Sequence, residues 1–171
     1  LNLAKVENNS DEERQCVNMA QLIRILVDEV TWLNQDKQHK INLEISTDVC
    51  VLGSETELKS ACANLLSNAI AYTPTKGRID VSWRLMGNKA VFAVKDNGDG
   101  IKPEDVNRLT ERFYRIDRSR SRDTGGSGLG LAIVKHVLHH HQAELVINSH
   151  WGKGSEFSIY FDPSTLSDIT C

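Results

Sequence analysis

Residues 54–72 read SETELKSACANLLSNAIAY, and the reading of this stretch decides the rest of the chain. Ser54 and Glu57 stand at the spacing of a capping box, whose side chains satisfy the open amides of a first helical turn. A helix is therefore expected from Ser54 to about Tyr72, closed by Pro74 and Gly77. At about 100° per residue, Glu57, Asn64, Asn68 and Ala71 fall within about 60° of one another. Leu58, Cys62, Leu65, Leu66 and Ala69 form a second, apolar face. Asparagine is a poor interior helix residue because its amide competes with the backbone. The Asn64/Asn68 stripe is either a solvated face or a set of carbonyl oxygens turned toward a hard cation and the phosphates it accompanies.

Working outward, Asn18 suits an N-cap for a helix over residues 18–38, with Met19, Leu22, Ile23, Leu26, Val30 and Leu33 on its buried face. Ile41, Leu43 and Ile45 alternate with polar residues as in a half-buried strand. Beyond the central helix, strands are expected over residues 78–86 and 89–95, joined by Gly87 and Asn88. A short helix opened by Pro103 should reach about residue 109, and a longer one should cover 128–141. Strands over 145–148 and 156–161, around a turn at 152–154, complete an α+β chain with helices packed on one sheet.

Two glycine-rich turns carry the remaining chemistry. Asp96-Asn97-Gly98-Asp99-Gly100-Ile101 follows a strand. It reads as a common turn, or as a carboxylate offered to an amino group beside glycines that let a flat base approach. Gly125-Gly126-Ser127-Gly128-Leu129-Gly130-Leu131 precedes a helix, where free N–H groups and the helix dipole favour phosphate. No Lys-Ser or Lys-Thr pair follows, so it is not a Walker loop. Arg112, Arg115, Arg118, Arg120 and Arg122 lie between the two turns, as a solvated loop or as a positive segment beside a triphosphate. His136, His139, His140 and His141 have no evident carboxylate or thiolate partner in sequence and read as ordinary helix residues rather than metal ligands.

Composition narrows the classes. The 171 residues are 40% hydrophobic and 25% charged, enough for one domain with a core. A net charge of −3 argues against a general nucleic-acid binder. No apolar run approaches the ~20 residues of a membrane span. Cys16, Cys50, Cys62 and Cys171 show no paired metal spacing and read as reduced thiols of a cytoplasmic compartment. A first residue of Leu rather than Met suggests a piece of something longer.

Taken in order, these motifs resemble the catalytic ATP-binding domain of bacterial sensor histidine kinases. Residues 64–72 are similar to that family's N box, 96–100 to its G1 box and Glu111-Arg112-Phe113-Tyr114-Arg115 to its F box. Residues 126–130 are similar to its G2 box and 152–154 to its last glycine turn. The run from Leu109 to His136 is especially similar to the phosphate-regulon branch. The resemblance implies a Bergerat-type two-layer α/β sandwich, its mixed sheet covered on one face by helices, with ATP and Mg2+ under a flexible lid. It implies that residues 1–12 are the end of a dimerisation helix and a linker, 13–162 the catalytic domain and 163–171 a C-terminal tail.

By the same resemblance Asn68 holds magnesium, and Asn64 and Arg115 act at the transferred phosphate. Tyr72, Asp96, Gly98, Gly100, Ile101 and Tyr114 line the nucleotide, while Gly126, Ser127, Gly128, Leu129, Gly130 and Leu131 wrap its phosphates. The implied partners are the chain's own dimerisation and phosphoacceptor domain and a response regulator, PhoB-like within the narrower branch. The implied whole is a homodimer in the inner membrane with this domain, a monomer by itself, on the cytoplasmic side. Ala71 departs from the family's basic residue, and no histidine here sits in a phosphoacceptor motif, so self-phosphorylation is not expected. Two alternatives stay open: an ATPase of the gyrase, Hsp90 and MutL type, disfavoured because Asn64 stands where their glutamate base would be, and an interaction module with a degenerate nucleotide site.

Overall fold

The computed structural model describes residues 14–116 and 128–168. In chain order the elements are β1 (Gln15–Val17), α1 (Met19–Leu33), β2 (Lys40–Ile45), β3 (Cys50–Gly53), α2 (Glu55–Tyr72), β4 (Arg78–Met86) and β5 (Lys89–Asp96). They continue with α3 (Pro103–Val106), α4 (Gly130–His140), β6 (Ala143–His150), β7 (Gly154–Phe161) and β8 (Leu166–Ser167). Five strands form a mixed sheet in the order β2-β4-β5-β7-β6, with β2 and β4 parallel and the other neighbours antiparallel. The register sets Val81 opposite Val94 and Trp83 opposite Phe92, so one face is apolar. That face, with Ile79, Ile159 and Phe161, shares one core with Leu22, Ile23 and Leu26 of α1, Leu58, Leu65 and Leu66 of α2, and Val134, Val137 and Leu138 of α4. The other face carries Asp80, Arg84, Lys95 and Glu156, with Arg78 and Asn42 both bonded to Asp80. The expected two-layer α+β sandwich is what the chain forms.

Local signals account for most element ends. Asn18 Oδ1 accepts from Gln21 N at 3.0 Å and Ser54 Oγ from Glu57 N at 3.3 Å, so both expected caps form. The carbonyls at the end of α2 are met from outside the helix. Lys37 Nζ donates to Ile70 O and Ala71 O at 2.9 and 3.2 Å, and His39 Nε2 donates to Thr73 O at 3.0 Å. This engagement explains why α1 stops at Leu33 instead of continuing to 38. The chain turns through a 3-10 segment at Gln35–Lys37 and a left-handed Gln38 to bring Lys37 and His39 onto α2. α3 ends at Val106, short of residue 109, because the following amides bond three residues back in successive turns. α4 begins at Gly130 rather than 128, since Gly128 has φ +72° and gives its carbonyl to Phe113 N.

A second sheet, β1-β3-β8, went unforeseen, being built of strands two to four residues long. Leu166 and Ser167, within the stretch read as a tail, pair with Val51 and Cys50. The N-terminal segment read as a dimerisation helix and linker lies outside the described residues, as does Cys171. Of the other cysteines, Cys62 is fully buried, and burial pushes its thiol up to about 12.

Gln142, the residue after the cap of α4, has φ +49°, where glycine is the residue without strain. Gln142→Gly is expected to stabilise the fold by about 0.5–1 kcal/mol, read as a higher urea midpoint at unchanged slope. A lower midpoint would mean that the Gln142 Oε1 bond with Ser164 Oγ outweighs the backbone term.

Candidate functional site

α2 is the floor of the site. Asn64 and Tyr72 stand eight residues apart on it, about 12 Å along the axis. At one end Gly130 opens α4 against Asn64; a Cβ on Gly130 would sit 2.8 Å from Asn64 Oδ1. Asn64 is held by its Nδ2, which donates to Ser60 O at 2.9 Å. At the other end Gly98 lies so close that a Cβ would stand 2.4 Å from Tyr72 O. Asn68 lies between, half-buried, and its amide has no hydrogen-bond partner among the described residues. The two glycine turns thus bracket one face of one helix, with an uncommitted carboxamide in the middle.

Asp96 ends β5, where its pairing with Ile79 and Ser155 keeps it 8% exposed. Its Oδ1 accepts from Gly98 N at 2.9 Å, and Ser155 N–H also donates to it. Burial pushes its pKa up, and these two donors work against that shift. The surrounding backbone is tight. A Cβ on Gly154, which has φ +119°, would lie 2.1 Å from Asp96 O, and one on Gly100, with φ +71°, would lie 2.1 Å from His150 O. Ile101 N donates to Ser149 Oγ at 2.7 Å, and Gly152 N to Asp99 O at 2.6 Å, which fastens this turn to the β6–β7 turn.

The stretch similar to the F box closes on the second glycine turn. Phe113 N donates to Gly128 O at 3.0 Å, and a Cβ on Gly128 would meet Arg115 Cγ at 3.2 Å. Arg115 is therefore adjacent to the start of α4, along with Leu129 and the half-buried Leu131. Tyr114, the other aromatic residue of this stretch, has its hydroxyl on Asp105 Oδ1 at 2.5 Å and the Arg108 guanidinium 4.2 Å over its ring. Phe113 is 69% exposed and has φ +64°, an unusual backbone for an aromatic residue. Gly126, Ser127 and the arginines Arg118, Arg120 and Arg122 lie outside the described residues, and with them the expected lid.

Sequence reading missed Ser149, Ser155 and Gly154 as parts of the Asp96 wall. The only signal was the glycine turn at 152–154, whose partner across the sheet no local pattern reveals. It also found no carboxylate near the histidines, whereas Glu57 comes to 3.4 Å from His140 and 3.6 Å from His141. Among the described residues no group of three or more His, Cys, Asp and Glu could hold a metal ion.

The arrangement is that of a nucleotide-binding domain, and comparison with known proteins gives the same class. Residues 53–165 match the family described as histidine kinase-, DNA gyrase B- and HSP90-like ATPase, and the chain belongs to that family. It is the ATP-binding catalytic domain of a sensor histidine kinase. The phosphate regulon sensor protein PhoR of Pseudomonas aeruginosa is 43% identical over 169 residues, which are 98% of this chain and 38% of that relative. The mycobacterial sensor histidine kinase MprB superposes with a TM-score of 0.75 at 28% identity, covering 86% of this chain and 96% of that one. Full-length ShkA, solved in complex with AMPPNP, shares the fold with a TM-score of 0.77 at 23% identity, over 92% of this chain and 32% of that one. The Bergerat-type sandwich expected from sequence is thus the architecture of this chain. The chain spans less than two fifths of the length of the curated relative, and no described helix is long and apolar enough to cross a membrane.

Proposed function

We propose that the face of α2 between Gly98 and Gly130 binds MgATP and presents its γ-phosphoryl group to a histidine on a separate dimerisation domain. Asp96 accepts the adenine amino group, Tyr72 and Ile101 flank the base, and the Gly98 and Gly100 backbones leave room for it. Asn68 offers its carbonyl oxygen to magnesium, which when bound neutralises phosphate charge. Asn64 and Arg115 stand at the phosphate end, with the N–H groups from Gly126 to Leu131 on the phosphates. In such a site the chain's residues position and stabilise charge rather than form bonds. The observation that carries the reading is the uncommitted Asn68 amide between two glycines whose Cβ atoms would fill the space along α2.

The likeness to PhoR supports a place in phosphate sensing. In that setting residues 1–12 continue a dimerisation helix, the catalytic domain runs from residue 13 through β8, and the complete protein is a membrane-anchored homodimer acting on a PhoB-like response regulator. Asn64 at the position of a hydrolytic glutamate favours transfer to a side chain over ATP hydrolysis. The test mixes this chain with a dimerisation fragment carrying the phosphoacceptor histidine, labelled ATP and magnesium. Acid-labile label should appear on the fragment, and Asn68→Asp should cut its rate by about ten-fold or more. Free phosphate release without labelled fragment would favour the ATPase reading instead.

A further inference from the structure

The third histidine of the 139–141 run has a place unlike its neighbours. His141 is 2% exposed, and both ring nitrogens are engaged. Nδ1 donates to Val137 O at 2.7 Å, one turn back in its own helix, while Nε2 accepts from Ser54 N at 3.1 Å. Ser54 is the N-cap of α2. In a full capping box the glutamate three residues on would take that N–H. Here the imidazole takes it, and Glu57 turns its carboxylate to His140 and His141. Gly53 makes the fit possible, because a Cβ there would lie 2.3 Å from the His141 ring. The ring therefore bolts the end of α4 to the beginning of α2, and the two helices run antiparallel with Gly130 on Asn64 at the other end of the contact.

We infer that His141 is a positioning residue for the phosphate half of the nucleotide site. It sets where α4 lies on α2, and so how closely the glycine-led start of α4 approaches Asn64. The inference rests on the nucleotide reading above and adds a proton dependence to it. The bond from Ser54 N needs an unprotonated Nε2; a proton there would set two N–H groups against each other. The charged groups around the ring are Glu57 from α2, His140 from its own helix and Arg14 from the segment before β1. Burial holds the ring below its ordinary value of 6.5, Arg14 and His140 act in the same direction, and Glu57 and the Val137 carbonyl oppose it. The neutral ring is thus the folded form at neutral pH. The stability it contributes is present above pH 6.5 and is lost as pH falls through the lower folded value.

The experiment titrates the chain with MgAMPPNP and with AMP, which shares the base but lacks the outer phosphates. His141→Phe keeps an aromatic ring and removes the acceptor. It should weaken MgAMPPNP about ten-fold or more while leaving AMP unchanged, about ten-fold being what one lost hydrogen bond to a charged phosphate costs. In the wild type, MgAMPPNP affinity should fall on acidification over the pH interval in which 15N NMR shows His141 Nε2 gaining its proton. Glu57→Gln should move that interval to lower pH. Equal loss of both ligands in a folded His141→Phe, or a His141 titration that leaves MgAMPPNP affinity untouched, overturns the inference; the NMR arm decides if the variant does not fold. Wild-type protein that binds neither nucleotide overturns the site reading itself.

Discussion

Asp96→Asn is expected to weaken MgATP binding by about ten- to one-hundred-fold while leaving the fold in place, the energy range being that of one hydrogen bond to a charged group. The side chain meets N–H donors from Gly98 and Ser155, and in the proposed complex a third from the adenine amino group. A carboxylate accepts from all three. An amide has one acceptor oxygen, so its NH2 must face a donor in either orientation. The fold should tolerate the change because burial already disfavours the charged form of Asp96. Calorimetric titration paired with a thermal melt reads both halves, and Asp99→Asn, an exposed neighbour, serves as control. Wild-type affinity in the Asp96→Asn protein would remove Asp96 from the site.

Gly154→Ala should have the largest effect on stability, about 2–4 kcal/mol and about 4–16 °C in Tm. Its φ of +119° is a region that side chains avoid, and its Cβ would come 2.1 Å from the Asp96 carbonyl, a backbone atom that cannot swing aside. Gly152→Ala separates these causes. Gly152 has φ +80° but nothing within 4 Å of a Cβ, so only the left-handed conformation is penalised, by about 1–2 kcal/mol. Equal melting temperatures for the two variants would show that the close approach to Asp96 does not matter. Because Gly154 backs directly onto Asp96, the partly folded variant should also lose nucleotide affinity beyond what its stability loss explains.

Legibility followed sequence distance. The cap at Ser54, the extent of α2 and the shared face of Asn64 and Asn68 were readable because each depends on residues within about one helical turn. The long strands β4 and β5 were readable from alternation and their two-residue turn. The strands β1, β3 and β8 were not, since two to four residues cannot show a period. Nor was the end of α1, where helical pattern persists but Lys37 and His39 are drawn to the carbonyls of α2. Three consecutive histidines look alike in sequence; the room left by Gly53 of β3 and the bond from Ser54 N separate His141 from His139 and His140. The bond from the Tyr114 hydroxyl to Asp105 of α3 likewise has no local sequence signal.

The amino-acid order alone set the amphipathic helix with two asparagines on one face and the order of the glycine turns. These are local: they follow from side-chain period, capping chemistry and the backbone freedom of glycine. Only the tertiary structure decided that Gly154 and Ser155 wall in Asp96, that Gly130 closes on Asn64, and that His141 replaces the glutamate half of the α2 cap. Those contacts join residues far apart in the chain and gain their energy only once the sheet has closed and the helices have packed. No backbone preference at either partner encodes them beforehand.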